Sequence, residues 1–320
     1  MSQSSRKATI RAYSPGDEHG IVRLFEEIFC REMTLEEWRW KYKGLGNQKV
    51  YSYVVVNENN EIVGHYGAIP LRMTYHGKNI TGLVTCDAMI QPKYRGMWTL
   101  RKLHNTFVDS QVQNGIFMFY GFPNEKNLLL PAEKMGLYER VETVLDASKD
   151  VTFHDSIERF LYKLEPLNFH DRRIDRLWSS VKEHFPLSII RDGFYFQWRY
   201  EQHHLFTYEI WSLKRRASKN LVGLVVLKKD DIEKLLLMDL VFHPRTFRPL
   251  LKKVENLAFK LGKKKLNLWL PQRMHPELRK LGFAFVPSGA ILPRSTHPAT
   301  IKKEEMQSYF YYTCGDTDFL

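Results

Sequence analysis

Apolar positions recur first at helical and then at strand spacing along the chain. In HGIVRLFEEIF (19–29), Ile21, Leu24, Phe25 and Ile28 fall on one face, which predicts a helix. VYSYVVV (50–56) is rich in β-forming residues, NENN (57–60) reads as a turn, and EIVGHYGAIP (61–70) as a second strand. His76-Gly77 marks another turn, and GLVTCDAMI (82–90) a longer strand. TLRKLHNTFVDSQVQ (99–113) places Leu100, Leu103 and Phe107 on one helical face. GIFMFYGF (115–122) predicts a strand, and a helix is expected from Asn124 to near Gly136. Helix, three strands, helix, strand, helix is the order of an α/β unit.

The order then repeats. Ile21, Leu24 and Phe25 answer to Ile174, Leu177 and Trp178, and WKY (40–42) answers to WRY (198–200). Gly64 matches Gly223, Asp87 matches Asp239, Pro92 matches Pro244, Pro123 matches Pro271, and KMG (134–136) matches KLG (280–282). The offset stays between 146 and 159, drifting where loops change length. Two copies of one unit are expected, residues 1–148 and 149–320, joined by a helical segment around 151–166.

Composition narrows the class. With 43% hydrophobic and 13% aromatic residues, the 320-residue chain can build real cores. The formal net charge of +12 suits an anionic partner: a phosphorylated cofactor, a nucleic acid, an acidic carrier protein or a membrane surface. The three cysteines, Cys30, Cys86 and Cys314, form no C-x-x-C pair, and no metal-ligand pattern stands out. The first residues, MSQSSRKATI, lack the apolar stretch of a secretory signal, and no apolar run approaches the ~20 residues of a membrane span. A cytoplasmic protein is expected.

Chemistry enters at CDAMIQPKYRGMWTLRKL (86–103). A strand there runs through Pro92 into Tyr94-Arg95-Gly96 and then a helix. A helix N-terminus points several backbone N–H groups one way and carries a favourable dipole, so it can hold a phosphate. Strand, P-x-Y-R-G, helix, strand, helix ending K-x-G resembles the GNAT superfamily of acyl-CoA N-acyltransferases. Two copies resemble its tandem members, specifically a bacterial branch with W-K-Y (40–42), G-H-Y (64–66), D-x-x-x-x-P-x-Y-R-G (87–96) and G-F-P-N (121–124). The resemblance implies a mixed sheet splayed between its fourth and fifth strands, with acyl-CoA in the gap.

It also implies site residues. Arg95, Gly96, Met97, Trp98, Thr99 and Leu100 stand at the pyrophosphate loop, and Met89 and Ile90 at the strand that pairs with pantetheine. Trp98 replaces a family glycine. It is expected to keep its N–H on the phosphate while its ring packs on Leu100 and Leu103. Asn124 is placed to reach the cofactor or cap the following helix. The second copy has no Arg-Gly turn, and Pro249 removes a donor there, so it reads as degenerate and as shaping the acceptor site. Lys263–Lys265 reads as a solvated loop.

Acyl transfer to an amine requires an amine stripped of its proton, a stabilised oxyanion and a protonated leaving thiolate. Asp87, a carboxylate in an apolar strand and on one face with Thr85 and Met89, is the first candidate base. Its recurrence as Asp239 also fits a structural role. His65 is the second candidate. The family's thiolate acid, a tyrosine on the last helix, is replaced by Ala132, which leaves Tyr120 as the nearest substitute. In some relatives the terminal carboxylate enters the site, a role that nothing in this sequence assigns to Leu320.

The expected activity is therefore N-acyl transfer from acetyl-CoA, or another acyl-CoA, to an amine gathered between the domains. Rival readings are a transferase of the same fold that uses aminoacyl-tRNA or an acyl-carrier protein, and a non-catalytic ligand-binding module.

Overall fold

The structure is a computed structural model that describes residues 8–44, 46, 49–124, 130–153, 158–218, 220–229, 231–298 and 300–317. The first half runs β1 (Ala8–Ala12), α1 (Glu18–Phe29), α2 (Leu35–Lys43), β2 (Tyr51–Asn57), β3 (Ile62–Tyr75), β4 (Lys78–Ile90), α3 (Met97–Gln113), β5 (Met118–Tyr120), α4 (Leu130–Lys134) and β6 (Tyr138–Asp150). The second half runs α5 (Glu158–Leu161), β7 (Tyr162–Pro166), α6 (Arg173–Val181), β8 (Leu187–Ile189), α7 (Gly193–Phe196), β9 (Tyr208–Arg215), β10 (Leu221–Lys228), β11 (Lys234–Phe242), α8 (Phe247–Lys260), β12 (Lys265–Leu268), α9 (His275–Lys280), β13 (Ala284–Ser295), α10 (Lys303–Tyr309) and β14 (Phe310–Tyr311).

Two compact units form, and chain segments alternate between them. One holds Met1–Arg72, Ile80–Val141 and Ile291–Lys303, and the other Met73–Asn79, Glu142–Ala290 and Glu304–Leu320. In the first unit β1, β2 and β3 pair antiparallel in sequence order, and β4 pairs parallel with β5. Arg294 of β13 pairs antiparallel with Tyr120. α3 covers this sheet with Leu103, Phe107 and Val108, which are fully buried against Val55, Val63, Leu83 and Phe119. Gly64 is required by packing, because a Cβ there would stand 2.7 Å from the Val55 side chain.

In the second unit β9, β10 and β11 pair antiparallel, β12 joins β11 in parallel, and Ala147–Asp150 of β6 completes the run beside β12. Tyr162–Pro166, inside the segment expected to be helical, forms the strand β7 against β9. Alternating Tyr162 and Leu164 give it a strand's period, and Pro166 ends it.

The landmarks of the internal repeat occupy matching places. Ile21, Leu24 and Phe25 are the buried face of α1, and Ile174, Leu177 and Trp178 that of α6. Pro92 and Pro244 each open a single 3₁₀ turn ahead of the long helix. Gly136 and Gly282, each just past a short helix, have φ of +68° and +88°.

Candidate active site

β4 and β5 share only three rungs, Gly82 with Met118, Leu83 with Phe119 and Val84 with Tyr120. The rungs end at Val84 with the end of β5, although Gly121 still lies against Thr85, where a Cβ would stand 2.9 Å from Thr85 O. Two residues further on, Asp87 has φ +49°, the left-handed region that a non-glycine residue enters only when its surroundings hold it. This breaks the side-chain alternation that put Asp87 on one face with Thr85 and Met89.

What holds it is a buried polar cluster. α2 is capped by Thr34, whose hydroxyl accepts from the Glu37 N–H at 3.0 Å. The helix turns Trp38, Lys41 and Tyr42 inward. Lys41 Nζ lies 2.9 Å from Asp87 Oδ1 and 2.8 Å from Oδ2, and both side chains are at least nine-tenths buried. Tyr42 Oη donates to Asp87 Oδ2 at 2.6 Å. Burial alone would raise the Asp87 carboxyl, but the Lys41 charge and the hydrogen bonds from Lys41 and Tyr42 hold it below its usual range.

His65 Nδ1 donates to the Asp87 carbonyl at 2.8 Å, which fixes the neutral tautomer and leaves Nε2 a lone pair with no partner among the described residues. Burial, which outweighs the attraction of Asp87, keeps His65 neutral by lowering its pKa. Both candidate bases therefore stand in one cluster. Asp87 is an ion-paired, hydrogen-bonded carboxylate rather than a free one, and His65 is fully buried.

The expected phosphate turn follows directly after the same end of β4. Met89 and Ile90 are buried at its close. Arg95, exposed, donates through Nε to the Ile90 carbonyl at 2.8 Å. Gly96 is the N-cap of α3 with extended backbone, and Leu100 N–H is bonded back to Gly96 O at 3.1 Å. The amides of Met97, Trp98 and Thr99 thus precede the first closed helical turn. Trp98 differs from expectation. Its side chain is 69% exposed, with Lys102 Nζ 4.7 Å from the ring centre. Leu100 and Leu103 belong to the opposite, core-facing side of α3.

Tyr120 ends β5 fully buried. Asn124 is exposed and sits in an isolated bridge, while residues 125–129, where its helix was expected to begin, lie outside the described residues. So does Leu320. Ala132 packs with Met135 and Leu137 in an apolar cluster.

Sequence reasoning missed a chain of hydroxyls beside the last rung between β4 and β5. Thr85 Oγ1 donates to Tyr120 O at 3.1 Å, and Tyr138 Oη donates to Thr85 Oγ1 at 3.2 Å. Tyr66 Oη lies 2.5 Å from Tyr138 Oη and 3.1 Å from His104 Nδ1. Burial and the charge of His297 lower the His104 pKa to about 4, so its ring is neutral. The G-H-Y motif contained Tyr66, but nothing local in the sequence joins it to Tyr138.

Residues 9–140 match the family model of the acetyltransferase (GNAT) domain. No curated protein matches the chain by sequence. Among solved structures, an Enterococcus faecalis protein described as a probable N-acyltransferase is 11% identical, with 92% of this chain and 74% of that chain covered and a TM-score of 0.71. A GCN5-related N-acetyltransferase from Kribbella flavida is 14% identical over 92% of this chain and 71% of that one, with a TM-score of 0.65. The Saccharomyces cerevisiae N-myristoyltransferase with bound myristoyl-CoA is 12% identical over 92% and 79%, with a TM-score of 0.58. At these identities the likeness is one of fold. Residues 9–140, less than half of the 320-residue chain, carry the match to the GNAT domain, and beyond them the likeness is one of fold.

Proposed function

We propose that this protein transfers an acyl group from an acyl-CoA to an amine by direct attack, with acetyl-CoA as the donor the family resemblance implies. In this reading the pyrophosphate takes the open amides of Met97, Trp98 and Thr99 beside Arg95. Pantetheine runs along Met89 and Ile90 in the gap where β4 leaves β5. Asp87 acts through position: its tie to Lys41, Tyr42 and His65 holds the backbone turn that aims the strand at the thioester. His65 Nε2 is the remaining lone pair of that cluster able to accept a proton from the amine.

The observation that carries the reading is Gly96. Its φ of −179° is open to any residue, and a Cβ there would meet nothing nearer than Thr99 Oγ1 at 4.0 Å. The fold does not require a glycine at this position, whereas a phosphate lying on the backbone does. Gly96→Ala is expected to fold with a stability loss no larger than about 1 kcal/mol for the altered cap, while CoA affinity measured by calorimetry falls more than about tenfold. Equal CoA affinity in the two proteins would sink the phosphate assignment. The paired state of Asp87 favours one alternative, a CoA-binding module without turnover. Product formation across an amine panel decides between them.

A further inference from the structure

We propose that the turn opening α3 seats this protein on an anionic lipid surface, with Met97 and Trp98 entering the bilayer interface and Lys93, Arg101 and Lys102 meeting lipid phosphates. Acyl transfer makes use of the amides of this turn and leaves its side chains without a task. Met97 and Trp98 are 72% and 69% exposed. A single exposed apolar residue is ordinary, but two large ones in succession, bordered by cations, mark a surface that something covers. The shared architecture does not require such a pair. α8 follows the turn at Pro244 as α3 follows the one at Pro92, and its first residue, Phe247, is buried.

Helical spacing sets cations behind the apolar pair. Arg101 follows Met97 by four positions, and Lys102 follows Trp98 in the same way. Each cation therefore neighbours an apolar residue on the helix surface and stands one turn, about 5.4 Å, further along the axis. The second pair is in contact, with Lys102 Nζ 4.7 Å from the Trp98 ring centre. Lys93, exposed ahead of the helix, has its Nζ 5.4 Å from the Tyr94 ring centre. From Ala88 to Val108 the chain holds no Asp or Glu. Of the carboxylates on other elements, Glu27 of α1 accepts from Gln91 Nε2 at 2.7 Å, and Glu133 of α4 is paired with Arg140 at 3.5 Å. The balance around the turn stays positive.

This order of groups fits a bilayer interface. Tryptophan settles at the boundary between headgroups and acyl chains. Apolar side chains enter that boundary by about 5–10 Å, and cations one turn behind them then stand at the level of the lipid phosphates. A nucleic acid or an acidic protein would be met chiefly by the cations, and Met97 offers no ring on which a base could stack. Among the described residues no helix is long and apolar enough to cross a membrane, and a turn of this kind rests on the surface.

The test sediments the full-length protein with vesicles of phosphatidylcholine alone, and of equal parts phosphatidylcholine and phosphatidylglycerol. Wild type is expected to partition at least about tenfold more strongly onto the anionic vesicles, since each cation near such a surface adds about fivefold. Met97→Ser with Trp98→Ser, and separately Lys93→Glu with Lys102→Glu, are each expected to lose at least about tenfold. All four side chains are exposed, so circular dichroism and melting of these variants should match wild type. Lys264→Glu with Lys280→Glu makes the same change of net charge on exposed side chains of the second half, and should lose less than about threefold. Brominated acyl chains in the anionic vesicles should quench a part of the wild-type fluorescence that is missing in Trp98→Phe. Absence of a preference for anionic vesicles, equal loss from the two charge reversals, or absence of that quenching overturns the proposal. Binding to a DNA duplex or to polyglutamate but not to vesicles gives the surface to a polyanionic macromolecule, and displacement from vesicles by saturating CoA gives the ring to the CoA site; either result overturns it too. The acyl-CoA reading stands or falls separately, on the CoA affinity of Gly96→Ala.

Discussion

Asp87→Asn separates a structural carboxylate from a catalytic one. The change keeps the shape of the side chain and an acceptor for Tyr42, but takes the Asp87 charge away from the buried Lys41 ammonium. Lys41 and Asp87 are 5% and 7% exposed, so water does little to replace the lost partner. Breaking a buried pair from one side costs about 3 kcal/mol or more. At 2–4 °C per kcal/mol for a unit of this size, that is a fall of roughly 6–12 °C in Tm. The wild-type contribution also has a definite pH range. Because the folded pKa lies below the unfolded value of about 4, the pair stabilises the protein above that pH, and the contribution is lost as pH falls through the folded pKa. Urea denaturation of wild type, Asp87→Asn and Asp87→Asn with Lys41→Met gives the coupling directly. The double variant should recover at least about 1 kcal/mol of the single variant's loss, since no charge is left stranded. If Asp87→Asn instead melts within about 2 °C of wild type, binds CoA normally and has lost turnover, the ion pair is not what Asp87 is for. It would then be a base.

Trp98→Gly is expected to leave CoA affinity within about tenfold, because the amide remains whatever side chain it carries. Its stability cost should be about 1 kcal/mol or less, from helix propensity rather than packing, since the ring is 69% exposed; a cost of several kcal/mol in urea would show that the ring is buried. His104, neutral with a pKa of about 4, cannot take up the proton that it binds near pH 6.5 when unfolded. Stability should therefore fall as pH drops from about 6.5 towards 4, by about 1 kcal/mol between pH 7 and 5.5, and His104→Gln should show a shallower slope in urea midpoints over that window; equal slopes would mean that His104 is charged in the folded protein.

The parts of the fold legible in the sequence are those fixed by short-range pattern. Leu100, Leu103 and Phe107 gave the core side of α3, and the same spacing already placed Trp98 with Lys102 on the opposite side. The expectation that Trp98 packs on Leu100 and Leu103 overlooked its own helix period. The turn at Arg95-Gly96 was readable because strand, turn and helix are contiguous. The conformation of Asp87 was not. A run of β-formers predicts extended backbone, and only the groups delivered by α2 and β3, 46, 45 and 22 positions away, account for φ +49°. Tyr138 is likewise invisible to local reasoning, because its hydroxyl partners lie 53 and 72 positions away.

Repetition within the chain sorts residues by what they do. An aspartate bonded by a tyrosine appears in both halves, but its cation differs: Lys41, adjacent to Tyr42, serves Asp87, whereas Arg191 serves Asp239 and also bonds Asp316. A group kept while its counter-ion is drawn from another element is kept for the strand it anchors, and each half needs that strand. The Arg95-Gly96 turn and the hydroxyls of Tyr66, Thr85 and Tyr138 occur in the first half alone, where no requirement of the shared architecture explains them. Chemistry, unlike folding, needs to be present only once, so the features that distinguish the halves support the proposal that the first is the half that binds and reacts.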